Sequence, residues 1–301
     1  MIQISVIIPT YGSPVFLSQS IKSVINQTFQ DWELIIVDDN NPNTQARLDT
    51  EKIVSIFMAS DKRVKYIKHE KNMNGAVARN TGFAVAQGKY IALLDSDDEY
   101  MLERLQRCFD LMESSADSVA GVYTGCEFRR SGSSYHVFKR VKSGKFLVET
   151  LACTFMFCTG SNIFVRKSIV DELNGFDPSF LRHQDYEFLV RVFEKYSLLA
   201  IPEILVIKNN ENFNLPNVEK LVSIKNQYLN KYSYIINKLP IKDINYIKHQ
   251  NYISIAECAL RQSNTKIARE YYKKAAQFSG LTIRERFRRL LFPLYNLLHK
   301  K

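Results

Sequence analysis

Residues 3–8 (QISVII) form a short β-branched run ended by Pro9, and residues 33–37 (ELIIV) form another that stops at Asp38-Asp39. Runs of this length and composition read as buried strands. Between them Leu17, Ile21, Val24 and Ile25 recur at i, i+4, i+7 and i+8 among mostly polar residues, which is a helix period over 15–28. The same alternation predicts a helix near 43–58, a strand at 64–68, a helix at 75–87 and a strand at 90–94. Repeated β-α-β units imply an α/β chain with a mostly parallel sheet and helices on both faces. Further on, the pattern predicts a helix over 100–114, a strand over 119–128, a turn-rich segment at 129–136, a strand at 163–166, a short helix at 167–174 and an amphipathic helix at 185–196. From about 217 the composition shifts to Lys, Asn, Ile and Tyr with helix periodicity. A boundary within 209–216 (NNENFNLP) divides the chain into residues 1–212 and a smaller, basic, α-helical region of residues 213–301.

Charge sharpens that division. Residues 217–301 hold 17 Lys and Arg against 5 Asp and Glu, so the excess of +10 in the whole chain lies at its C-terminal end. Such asymmetry marks a part that meets a polyanion or an anionic surface joined to a part with another task. Within it, 284–301 (RERFRRLLFPLYNLLHKK) interleaves arginines with Leu, Phe and Tyr. This segment reads either as an interfacial anchor at a membrane or as a helical arm packed on its own domain or on a second copy in a homo-oligomer. With 46% hydrophobic and 24% charged residues, the 301-residue chain has a globular balance. Five cysteines without a C-x-x-C pair indicate neither a disulfide framework nor a zinc ribbon and suit a cytoplasmic setting. The N-terminus lacks the basic and apolar regions of a signal peptide, and no run reaches the ~18 apolar residues of a membrane span.

In parallel sheets, ligands bind beyond the carboxyl ends of the strands. Those ends carry Pro9-Thr10-Tyr11, Asp38-Asp39-Asn40 and Asp95-Ser96-Asp97-Asp98. The last run places three carboxylates within four residues, and their repulsion is relieved by solvent or by a hard divalent cation such as Mg2+ or Mn2+. As an isolated feature it reads first as a solvated loop capping the next helix. No G-x-x-x-x-G-K-[ST], G-x-G-x-x-G or G-x-S-x-G motif is present, which argues against a P-loop NTPase, a classical dehydrogenase and a serine hydrolase.

These strand ends, with NMNGAVARNTGF at 72–83, IALLDSDD at 91–98, NGFD at 174–177 and DYEFLVR at 185–191, occur in the order and rough spacing of the family-2 glycosyltransferases. The chain resembles that family over roughly residues 2–207. The resemblance implies a GT-A (Rossmann-like) fold, a nucleotide-sugar donor (a UDP-sugar), a divalent metal and inversion of anomeric configuration. It further implies a saccharide or lipid-linked saccharide acceptor at the cytoplasmic face of the membrane.

By the same resemblance Pro9 and Tyr11 match positions lining the base pocket, where an aromatic ring can pack on uracil. Asp39 matches the carboxylate that accepts a hydrogen bond from the base, with Asp38 holding the loop. The family usually continues Gly-Ser, and here the chain reads Asn40-Asn41-Pro42. Arg79 matches the arginine that contacts the donor nucleotide, on a helix whose N-terminal dipole end suits negative charge. Asp95 matches the ribose-contacting position, Ser96 lies beside it on the donor side, and Asp97 matches the metal-diphosphate position.

Asp185 matches the catalytic base. The usual preceding glutamate is Gln184 here, preceded by His183, both on the acceptor side. A general base needs only its own ionised carboxylate, which Asp185 supplies. Arg191 matches the family arginine, a partner for the diphosphate or for Asp185. Many relatives carry a later histidine near the metal; residues 202–216 contain none, and Lys208 is the nearest cation. The apolar stretch 151–160 (LACTFMFCTG) is either a core strand or part of an acceptor mouth. The rival reading is a non-catalytic protein of this fold whose basic tail holds nucleic acid or another anionic partner; the retained carboxylates speak against it, and no nucleic acid is expected as a partner.

Overall fold

The structure, a computed structural model, describes residues 2–209, 216–283 and 285–288. Its described residues divide into two compact units, one within 1–145 and 156–212, the other within 146–155 and 213–301. The expected single boundary thus gains an exception, since residues 146–155 belong with the C-terminal unit.

The first unit begins with β1 (Ile4–Thr10), α1 (Leu17–Ile25), β2 (Trp32–Asp38), α2 (Gln45–Ser60), β3 (Val64–Lys68), α3 (Gly75–Val85) and β4 (Tyr90–Leu93). The strands lie in the order β3-β2-β1-β4, all parallel, with Ile4 opposite Trp32 and Tyr90, and Thr10 opposite Asp38. Every residue of β2 is buried, as the apolar run Leu34–Val37 at its centre suits a strand covered on both faces. Leu17, Ile21 and Val24 of α1 are buried against this sheet in one cluster with Ile4, Val6, Ile8, Leu34 and Ile36. The register leaves Tyr11, Asp39 and Asp95 just past the ends of three neighbouring strands, at one rim.

Past β4 the parallel pattern gives way. The chain forms β5 (Glu99–Tyr100), α4 (Arg104–Glu113), β6 (Val119–Arg130), β7 (Ser133–Phe138), α5 (Leu147–Leu151), β8 (Phe164–Arg166), α6 (Lys167–Glu172), α7 (Gln184–Lys195) and β9 (Ser197–Asn209). β8 runs antiparallel to both β4 and β6, β9 pairs parallel with β6, and β5 adds antiparallel to β9. The sheet is therefore parallel in its first half and mixed in its second, the α/β architecture of the GT-A fold. The segment 129–136 is a hairpin: Ser131 and Gly132 both have positive φ (48° and 74°), as a two-residue turn matching strand twist requires.

β9 has no counterpart in the sequence reading because Pro202 interrupts it. The structure absorbs the interruption as a bulge, with Thr124 opposite Ile201 and Gly125 opposite Ile204. A Cβ on Gly125 would lie 2.7 Å from the Glu203 carbonyl oxygen, so the bulge needs glycine across from it.

The second unit joins α5 to α8 (Val218–Lys231), α9 (Ser233–Ile236), α10 (Ile241–Arg261) and α11 (Thr265–Ala276). Asn251 Nδ2 donates to the Leu151 carbonyl at 2.9 Å and the Tyr228 hydroxyl to that of Thr150 at 2.8 Å. Residues 151–160 are accordingly not a core strand; they begin as the end of a helix bound into the C-terminal bundle. Of the basic segment 284–301, only Glu285–Arg288 falls among the described residues. No helix among those residues is long and apolar enough to cross a membrane.

Candidate functional site

The rim is built from hydrogen-bonded carboxylates. Asp38, fully buried, accepts from the backbone N–H and Nδ2 of Asn40 (2.9 and 2.8 Å) and from the Tyr66 hydroxyl, and pairs with Arg47 at 3.2 Å. Asn40 in turn accepts from the N–H of Gly12, whose φ of +81° turns the chain after Tyr11. This fixes the Asn-Asn turn that stands where Gly-Ser was expected. Tyr11 is 65% exposed, its ring free to take a stacked base, and Pro9 is half-buried behind it.

Asp39 is held by the loop that follows β3. Its Oδ1 accepts from His69 Nδ1 and the Met73 N–H, and its Oδ2 from Asn72 Nδ2 and the Asn74 N–H, all at 2.7–3.0 Å. Four donors use both oxygens, and only 2% of the residue is exposed, so the carboxylate shapes the 72–74 turn. The consequence reaches further along the chain. Asn74, at a φ of +82°, caps α3 by accepting from the N–H groups of Ala76 and Val77.

The start of α3 places Arg79 between the two halves of the site. Arg79 donates to Asp95 Oδ1 at 2.6 Å, to Gln184 Oε1 at 3.1 Å and to the Gly75 carbonyl at 3.2 Å. A Cβ on Gly75 would stand 3.0 Å from the guanidinium, so the glycine lets Arg79 lie close over the helix start.

The acidic turn follows β4. Carboxylate oxygens of Asp95, Asp97 and Asp98 lie within 4.8 Å of one another, a hard-oxygen donor set suited to a divalent cation. The three are not equivalent. Asp98 is fully buried; its Oδ2 accepts from Ser161 Oγ (2.6 Å) and Thr159 Oγ1 (3.0 Å), and its Oδ1 from the Asn209 N–H (3.2 Å). Burial pushes the Asp98 carboxyl up to about 7 against the pull of Lys208. Asp95 is half-buried, and although burial acts to raise it, the Arg79 and Lys208 charges hold it below the usual aspartate range. Asp97 is exposed and, among the described residues, accepts no side-chain hydrogen bond; desolvation and the neighbouring Asp95 raise it. Ser96 offers its carbonyl to Ser20 Oγ at 3.0 Å, anchoring the turn to α1.

Opposite the turn, α7 begins at His183, whose left-handed backbone (φ 60°) swings Gln184 and Asp185 into a cleft of about 150 Å3. Arg79, Asp95, Gly160, Phe176, His183, Gln184 and Asp185 line it. Asp185 accepts from the adjacent Tyr186 N–H at 2.9 Å, and desolvation raises its carboxyl above the ordinary aspartate value of 3.8. Arg191 does not reach this cleft. It clasps Glu187 at 2.7 Å and the carbonyls of Leu173 and Gly175 at 2.6 and 2.8 Å, pinning the 173–175 loop to α7. Its i, i+4 spacing from the buried Glu187 accounts for the difference.

Thr159, Ser161 and Asn209 carry the acidic turn, a role the sequence reading does not give them. Thr159-Gly160-Ser161-Asn162 is a turn of small hydroxyl residues, and that composition is the signal that was available.

The sequence and the fold have counterparts. Residues 5–173 match the model of "Glycosyl transferase family 2". Over 237 residues the chain is 32% identical to an uncharacterised glycosyltransferase of Methanocaldococcus jannaschii, covering 77% of each protein. It is 27% identical over 201 residues to the UDP-Glc:alpha-D-GlcNAc-diphosphoundecaprenol beta-1,3-glucosyltransferase of Escherichia coli, covering 66% of this chain and 72% of that one. A mannosyltransferase from Pyrobaculum calidifontis, solved with GDP-Man and Mn2+, superposes with a TM-score of 0.58 at 14% identity, covering 99% of this chain and 88% of the other.

Proposed function

Because the chain belongs to glycosyl transferase family 2, we propose that it catalyses an inverting transfer from a nucleoside-diphosphate sugar, a UDP-sugar first, to a hydroxyl of a lipid-linked or polysaccharide saccharide. The observation that carries this reading is a single cleft in which Arg79 links the acidic turn to the Asp185 helix start. The Escherichia coli relative, named for a UDP-sugar donor and an undecaprenol-linked acceptor, supports both substrate classes.

In this reading the base stacks on exposed Tyr11 above Pro9, and Asp95 and Ser96 face the ribose side. Asp185 accepts the proton of the acceptor hydroxyl as that oxygen bonds to the anomeric carbon and the bond from that carbon to the diphosphate oxygen breaks. Desolvation suits Asp185 to this step, since a carboxylate raised in basicity is a better proton acceptor. Gln184 holds Arg79 without neutralising it, so more of the guanidinium charge remains for the diphosphate than a glutamate would leave. His183 and Gln184 stand on the acceptor side. Asp97, with Asp95, has the open oxygen ligands for Mg2+ or Mn2+, which when bound would neutralise charge on the departing diphosphate. The Mn2+ bound by the Pyrobaculum calidifontis enzyme is in keeping with this ligand set.

In the same reading the basic tail would meet the cytoplasmic membrane surface, where a lipid-linked acceptor lies, and the packed arm is the alternative, to which the pairs of Glu285 with His249 and of Arg288 with Glu257 lend support. The reading of the chain as a non-catalytic binder is disfavoured, because Asp97 and Asp185 remain available for chemistry. A panel of nucleotide-sugars, assayed for hydrolysis and thermal stabilisation with and without Mn2+, tests the donor reading. One donor should raise the melting temperature in a Mn2+-dependent manner. No stabilisation by any nucleoside-diphosphate sugar would overturn it.

A further inference from the structure

Lys208 is the second-last residue of β9, and its ammonium is directed at the acidic turn. Nζ stands 3.7 Å from Asp98 Oδ2 and 3.5 Å from Thr159 Oγ1, with 24% of the side chain exposed. The next residue, Asn209, donates its N–H to Asp98 Oδ1 and its Nδ2 to the Asp97 carbonyl and to Glu99. The end of β9 therefore grips the turn with a cation and an amide on one side, while Thr159 and Ser161 grip it with hydroxyls on the other. Three carboxylates this close repel one another, and a fixed ammonium within the group offsets part of that repulsion before any ligand is bound.

We propose that Lys208 is the resident counterion of the acidic turn: it holds Asp98 in place in the ligand-free protein and weakens divalent-cation binding there, so that the ion enters together with a nucleoside diphosphate. This rests on the reading that Asp97 and Asp95 take the ion. The electrostatic argument has two sides. A cation beside the ligand oxygens disfavours a second, divalent cation, and the same cation favours a diphosphate. The diphosphate brings enough negative charge to offset both. Lys208 is thus a positioning residue for the turn and a determinant of the order in which ligands assemble.

The test uses the full chain with Mn2+ alone as probe, free Mn2+ being followed by electron paramagnetic resonance, and melting measured separately in EDTA. Lys208→Met should tighten Mn2+ binding in the absence of nucleotide by at least ~10-fold, because a like charge has been removed from a weakly solvated site. In EDTA the same variant should melt lower by ~5 °C, with Lys208→Arg close to the parent in both measurements. Adding Asp98→Asn to Lys208→Met should recover part of the lost melting temperature, since the charge needing the counterion is gone and an amide oxygen still accepts from Thr159 and Ser161, although the bond from the Asn209 N–H is lost. That double variant also decides the matter if Lys208→Met alone does not fold. The proposal is overturned if Lys208→Met binds Mn2+ no more tightly than the parent, or if the two substitutions lower stability additively. Absence of Mn2+ binding by every variant, with UDP as well as without it, would instead sink the metal assignment, and the melting cycle then decides the counterion role by itself.

Discussion

Asp39 and Asp97 follow the two strands that flank β1, and both were read from the sequence as ligand-binding carboxylates, yet the structure treats them oppositely. Asp39 is closed: four donors fill its oxygens, and the turn it organises carries the cap of α3 and hence Arg79. Asp97 is open, exposed and raised in pKa by its surroundings. Asp38 and Asp98 belong with the closed group and Asp185 with the open one. The closed carboxylates hold the shape of the rim, and the open ones are left for ligands and protons. Nothing in residue type distinguishes the two groups; the supply of nearby donors does.

The comparison breaks most visibly at Asp185. Asp185→Asn should lower turnover by ~10²-fold or more while leaving donor affinity within about twofold, because a base acts on the transition state and contributes little to donor binding. Steady-state kinetics with a calorimetric titration of UDP separates the two effects. A near-normal turnover would move Asp185 into the closed, structural group. Next in size, Asp39→Ala should destabilise the N-terminal unit by ~3 kcal/mol, since several buried donors lose their acceptor together. Calorimetry would register this as a lower melting temperature. An unchanged melting temperature with weakened nucleotide binding would return Asp39 to its expected role at the base.

How far the sequence could be read follows the same division. The parallel half was legible almost residue by residue, because its strands are short runs rich in β-branched and aromatic residues set between helix-periodic segments: 64–68 was expected and β3 is Val64–Lys68. The mixed half was not, because β8 has only three residues and Pro202 interrupts β9, so their pairing depends on tertiary context. In the site, motif positions identified which residues gather at the rim, whereas their hydrogen-bond state was invisible. Asp39 is closed by a turn more than thirty positions away, and Arg191 is taken by Glu187 and two loop carbonyls. Arg191 was expected to serve the diphosphate because its identity and spacing match; which acceptor it meets is decided by where the 173–175 loop lies.

Asp97→Ala sharpens the comparison from the open side. With no side-chain hydrogen bond to lose, the substitution should leave the melting temperature in EDTA unchanged and remove the benefit of Mn2+ to UDP binding, a loss of ~10-fold or more in affinity. Titrating UDP with and without Mn2+ on both proteins gives the answer. A large drop in melting temperature would place Asp97 among the closed carboxylates after all.

The smallest effect concerns the stability cost of keeping a carboxylate open. Asp185 has its folded-state pKa raised above 3.8 by desolvation. The sign follows from linkage: a raised carboxyl contributes stability that is fully present below the unfolded value and lost as pH rises through the folded one. At pH 7 to 8 the wild-type protein therefore carries an ionised group that the folded state disfavours. Asp185→Asn, which removes that charge while keeping the shape, should be as stable as wild type or more so, by up to ~1 kcal/mol. The difference should fade as pH falls through the raised folded-state value and vanish below 3.8, where wild-type Asp185 is protonated in both states. The same raised pKa puts the acid limb of kcat/KM above the range of an ordinary aspartate, and activity should fall as pH drops through it. Chemical denaturation of the two proteins at pH 8 and pH 5 measures the first effect, and a pH profile of wild-type turnover the second. If Asp185→Asn is destabilised by several kcal/mol at pH 8, its carboxylate is making interactions the folded state depends on, and the division between open and closed carboxylates fails at the residue on which the catalytic reading depends.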